Sequence, residues 1–160
     1  MLSSKRVTTS LGDGVSMRIP AARIRADKDG TFRRDPEGEP AIIWPVLDSD
    51  REIVNLVAWH VETPTRWWLF YADDCPLLGA RQLAVARYFG DPVQLHPTPQ
   101  HWVLANRQGV VILRWDIDYH DVFDGVGSVQ CCSVDFEHRF RQALRAREPA
   151  TIVREMRHAA

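Results

Sequence analysis

An α+β fold is predicted: an antiparallel β-meander over about 42–71, extended by short αβ units into a mixed sheet, with a C-terminal helix. Three observations lead there. The stretch AIIWPVLDSDREIVNLVAWHVETPTRWWLFY, from Ala41 to Tyr71, alternates apolar runs with four-residue polar turns, and connections that short join antiparallel neighbours. Four of the six tryptophans, Trp44, Trp59, Trp67 and Trp68, fall in that stretch, so the sheet carries an aromatic core. Beyond residue 75, apolar residues at helical spacing alternate with short β-branched runs, the order of mixed and α+β sheets.

The elements follow in order. Residues 1–16 are rich in Ser, Thr and Gly without periodicity, as in a flexible arm. Residues 19–28 are expected to form a short helix with Pro20 in its first turn. Asp29-Gly30 and Asp35-Pro36 mark turns, with room for a short strand at 31–33. Residues 42–47 form a strand in which Pro45 argues for an edge or a bulge. Residues 53–61 are apolar on both faces, which predicts a central strand covered on both sides. Residues 66–71 return as the third strand.

Asp73 or Asp74 is expected to cap the next helix, with Pro76 in its first turn. Ala80, Ala84, Val85, Tyr88 and Phe89 share one face of that helix, and Gly90 stops it. A short strand at 93–96 follows. Thr98-Pro99 opens a helix over 99–106, because a capping hydroxyl precedes proline at the first helical position. Residues 110–115 and 128–132 are strands. Ser133 caps a helix over 134–147, with Phe136, Phe140, Ala143 and Leu144 as its apolar stripe. A single domain therefore spans 17–148, and 149–160 is a tail.

The 160 residues suffice to bury a core without disulfides or metals. Cys131 and Cys132 are adjacent and Cys75 is alone, so no disulfide framework is expected. The N-terminal twenty residues lack the apolar segment of a secretory signal, and no apolar run is long enough to span a bilayer. A cytoplasmic location is expected. Charge is uneven: residues 1–34 carry a net +5, 35–137 a net −10 and 138–160 a net +4. Basic ends around an acidic centre suit a nucleic-acid partner, or a merely solvated surface.

For chemistry, the cluster after the strand at 110–115 stands out. Asp116 and Asp118 share a face if the strand continues, with His120 and Asp121 close by, and paired carboxylates take hard cations such as Mg²⁺ or Mn²⁺. An Asp-x-Asp pair resembles the metal site of Toprim-type phosphoryl-transfer enzymes, although the accompanying glutamate and glycine turn are missing. The bland alternative is an acidic loop whose aspartates cap and turn the chain. His96 and His101 flank a helix start without a third ligand. Contacts to nucleic acid or a partner are expected from Arg66 and Trp68, by stacking, and from Arg139, Arg141 and Arg145 on the last helix.

The motifs IIWPV (42–46), LVAWHVETPTRWWL (56–69), LLGA (77–80), FGDPVQLHPTP (89–99) with Trp102, and GVVILRW (109–115) cover about half the chain. They resemble proteins of unknown function from bacterial prophages and related mobile elements. That resemblance implies a setting near DNA replication and carries over no catalytic residue. Three functions are thus open. One is a non-catalytic accessory protein that binds nucleic acid or a replication partner. Another is a divalent-metal-dependent nucleic-acid enzyme or its inactive relative. The third is a protein-interaction module or homodimer.

Overall fold

The computed structural model describes residues 7–10, 16–19, 21–72 and 77–144. Val7–Ser10 (β1), inside the segment 1–16 expected to be a flexible arm, pairs antiparallel with Ser16–Ile19 (β2). The main sheet follows: Ala21–Ala26 (β3), Phe32–Arg34 (β4), Glu39–Leu47 (β5), Ile53–His60 (β6) and Trp67–Leu69 (β7). Its strands are antiparallel in the order β4-β3-β5-β6-β7.

The helix expected over 19–28 is therefore a strand. Ala22, Ile24 and Ala26 alternate with Arg23 and Arg25, a two-residue period. β3 is also laddered on both sides, to β4 and to β5, which overrides the helix propensity of its alanines. The short strand expected at 31–33 appears as β4. Pro45 sits inside β5, one residue before the register shift at Val46/Leu47.

The sheet curls until its two edges meet. The Leu69 amide donates to the Gly30 carbonyl at 3.1 Å, and Thr31 bridges Leu69. Phe32 and Phe70 meet edge to face across that closure, with centroids 5.6 Å apart. Ile24, Phe32, Ala41 and Ala58 fill the interior, backed by Ile43, Leu56 and Trp68. The alternate residues Ile42, Val46, Val57, Trp59 and Leu69 point the other way. Both faces of β5 and β6 are thus covered, as the apolar pattern of 53–61 requires.

The outward face packs on a second layer. Leu77–Leu78 (β8) leads into Ala80–Phe89 (α1), then Val93–Leu95 (β9), Pro99–Leu104 (α2), Val111–Ile112 (β10), His120–Phe123 (α3), Val129–Cys131 (β11) and Val134–Leu144 (α4). β11 runs parallel to β9, β10 runs antiparallel to β8, and a parallel bridge from Leu95 to Val110 joins the two pairs into a mixed array. Leu78, Trp102, Val103, Val111 and Leu113 meet the sheet. Leu83, Val93, Ile112, Tyr119, Phe123 and Phe140 form a core of their own. Each such side chain, when fully buried, stabilises the fold by about 1.5–3 kcal/mol.

Caps act as the sequence suggests. The Thr98 hydroxyl accepts from the His101 amide at 3.2 Å, with Pro99 at the first helical position. Ser133 accepts from the Phe136 amide at 3.2 Å. Gly90 closes α1 in the left-handed region. α1 itself starts later than expected, after Gly79; the proposed caps Asp73 and Asp74, and Pro76, lie outside the described residues. β10 is shorter than 110–115. The chain leaves the ladder after Ile112 because the Leu113 carbonyl accepts from Trp67 Nε1 at 2.9 Å and the Arg114 carbonyl from the Tyr119 hydroxyl at 2.6 Å. Residues 145–160 lie outside the described residues, and no helix among the described ones is long and apolar enough to cross a membrane.

Candidate functional site

The acidic cluster at 116–121 is dispersed. Arg114 holds both Asp116 oxygens, at 3.0 and 2.6 Å. Asp118 accepts from the His120 amide at 2.9 Å, which fixes the turn into α3. His120 Nδ1 lies 3.5 Å from Asp121 on an exposed surface. Among the described residues, no three His, Cys, Asp or Glu side chains are grouped to hold a metal ion. Asp116 instead lines a cleft of about 280 Å³ with Asp29, Gly30, Trp67, Trp68 and Arg114. Asp29 in that cleft is held below the usual carboxylate range, chiefly by the Thr31 hydroxyl and then by the Thr31 amide.

His96 and His101 do not converge either. His96 is buried and its Nε2 meets the Gln108 carbonyl at 2.8 Å; since a carbonyl only accepts, this nitrogen carries the proton. His101 Nδ1 pairs with the Thr98 hydroxyl at 2.7 Å.

The expected contact residues mostly have partners within the chain. Arg66 pairs with Glu39 at 3.1 Å and lies over the Trp68 ring at 5.2 Å. Arg139 covers the Trp115 ring at 4.1 Å, and partial burial there pulls its guanidinium below the ordinary value. Arg141 pairs with Glu137 one helical turn away at 2.6 Å. Arg145 lies outside the described residues.

A different set of arginines converges. A groove of about 430 Å³ opens between the β5–β6 turn and the ends of α1 and α2. Arg51 enters from the turn, Arg81 from the first turn of α1, and Arg107 from the chain just after α2. All three are exposed. None makes a side-chain hydrogen bond, ion pair or ring contact with a described residue, and Arg34, which shares this trait, lies apart on β4. Trp44, Pro45, Leu78 and Trp102 make the groove's apolar part. Asp48 is its one acid among the described residues, and Asp48 Oδ1 is taken by the Asp50 and Glu52 amides at 2.9 and 3.0 Å.

Local backbone sets this geometry. Arg51 and Arg107 occupy left-handed backbone at φ 70° and 62°, where a side chain costs about 1–2 kcal/mol. Gly79 and Gly109 come so close that a Cβ on Gly79 would lie 2.3 Å from the Gly109 carbonyl. That carbonyl also accepts from Trp102 Nε1 at 3.0 Å, which fixes Trp102 edge to face with Trp44, centroids 6.5 Å apart. α1 has no acid in its first turn and no side-chain cap, so its positive end adds to the field of the arginines. A guanidinium stays charged at any physiological pH and matches phosphate oxygens in a bidentate way. The groove is thus fitted to an anion with an apolar part.

Sequence reasoning passed over these three arginines because they lie far apart along the chain. Their one local signal is a turn residue close before each: Asp50, Gly79 and Asn106. The chain matches no family model, no curated protein and no solved structure.

Proposed function

We propose that this chain is a non-catalytic, cytoplasmic module that binds a nucleic acid through its phosphates at the groove of Arg51, Arg81 and Arg107. This agrees with the prophage-like character of its motifs. The observation that supports it is the convergence on one concave site of three guanidiniums that have no partner among the described residues, while most other described arginines are paired. Cations that make no ion pair cost little to present to a polyanion and release its counterions on contact.

Fluorescence anisotropy of labelled single- and double-stranded DNA tests the reading. Three phosphate contacts give a slope of log affinity against log salt of about −2 for a single strand and −2.7 for a duplex. Affinity then falls about 20- to 40-fold between 50 and 200 mM salt. Arg81→Glu should weaken binding about tenfold or more and flatten that slope. Binding insensitive to salt, or a triple Arg→Glu variant that binds like the parent, would overturn the reading.

A further inference from the structure

The geometry points to a single-stranded nucleic acid as the ligand, with one base seated against Trp44 and its flanking phosphates on Arg51, Arg81 and Arg107. This rests on the phosphate-binding reading of the groove and goes beyond it by naming the strand and the base.

The three arginines come from three walls of a concavity, not from one flat face or a protruding helix. A duplex presents its phosphates on a convex rod and hides its base faces in the stack. It can meet the rim of such a groove but not its floor. A single strand can turn a base inward and keep its phosphates at the rim, the usual division of labour in single-strand binding.

Trp44 supplies the second line of argument. Its ring is only partly buried, and Trp102, held by Gly109, fixes its orientation. Trp44 Nε1 makes no hydrogen bond with a described residue. Trp102 Nε1 and Trp67 Nε1, by contrast, are both taken by backbone carbonyls. Trp44 therefore offers a base ring surface, and a donor not taken by a described residue, within the arginine rim. The Arg66–Trp68 stack lacks this combination, because Glu39 already neutralises Arg66.

The test compares three labelled probes of equal length at one salt concentration: a thymidine oligonucleotide, its duplex with oligo-dA, and an abasic single strand with the same phosphates. The single strand should bind about tenfold tighter than both others, the gain expected of one stacked base, and should quench tryptophan fluorescence. Trp44→Leu should remove that advantage, so that the thymidine and abasic strands bind within about twofold of each other. A duplex or an abasic strand bound as tightly as the thymidine strand would overturn the inference and leave the phosphate reading standing. No binding of any probe would overturn both. The probe comparison needs only the parent protein, so it decides the matter even if Trp44→Leu fails to fold.

Discussion

In the curled sheet, Arg25, Arg33 and Arg66 each pair with a carboxylate, at 2.7, 3.9 and 3.1 Å, whereas Arg51, Arg81 and Arg107 at the seam with the αβ layer form no ion pair with a described residue. The difference has a structural cause. Arg25 and Arg33 are direct cross-strand neighbours, and like charges opposite one another destabilise a sheet. Asp35 and Asp27 relieve that repulsion. A turn and two helix ends have no cross-strand neighbour, so the seam arginines can stay open without strain between them. The ladder forces a carboxylate onto each of the facing pair Arg25 and Arg33, and the irregular junction puts no such demand on Arg51, Arg81 and Arg107.

Two turn glycines, one in each region, differ in how tightly they are held, and here the largest effect is expected. Gly30, in the turn before β4, has φ 82° and nothing within 4 Å of an added Cβ. Gly109 has nearly the same φ, 81°, but a Cβ there would lie 2.2 Å from the Gln94 carbonyl. Gly30→Ala should cost about 1 kcal/mol, the left-handed penalty alone. Gly109→Ala carries that penalty and a backbone clash, so about 3 kcal/mol or more is expected from urea unfolding. Equal costs would mean that the seam yields as easily as the open turn.

A smaller effect separates the regions by pH. His96, buried between β9 and the Gln108 loop, is held below the ordinary imidazole value. Burial is the main cause, aided by His101 and opposed by the Gln108 carbonyl. The folded protein thus disfavours the proton that the unfolded chain accepts near pH 6.5. The associated stability is complete above that pH and is lost as pH falls through the lower folded value. His96→Gln keeps a donor for Gln108 and should flatten the decline of the urea midpoint between pH 7 and pH 5. An unchanged decline would place the acid sensitivity elsewhere.

What could be read from the sequence was what adjacent residues decide. Apolar runs marked β5 and β6 and both buried faces of β6, although Pro45 spoke against the inner position that β5 holds, and Thr98-Pro99 and Ser133 marked their helix starts. The closure of the curl was hidden, because it joins Gly30 and Thr31 to Leu69, and nothing local announces such a bond. β3 was misread for the same reason: its partners, not its alanines, make it a strand. In the candidate site, the Asp116–Arg114 pair spans only two residues and was within reach of a charge-pattern reading. The groove was not, since Arg51, Arg81 and Arg107 meet only after the sheet has packed on the αβ layer.

The smallest effect is the sharpest test of which surface carries the charge. Arg66 and Glu39 are both half exposed, and Arg141–Glu137 is a surface pair one helical turn apart. Solvent screens such pairs, and the side-chain entropy lost in forming them cancels most of the attraction. Arg66→Ala and Arg141→Ala should therefore each shift stability by no more than about 0.5 kcal/mol, even with the Trp68 contact of Arg66 included. Their effect on nucleic-acid binding should stay below about twofold, because each removed cation was already neutralised, while Arg81→Ala lowers affinity and takes about 0.7–0.9 from the salt slope. If Arg66→Ala matches Arg81→Ala in both respects, the ligand runs over the curled sheet past Trp68, and the groove at the seam is not its path.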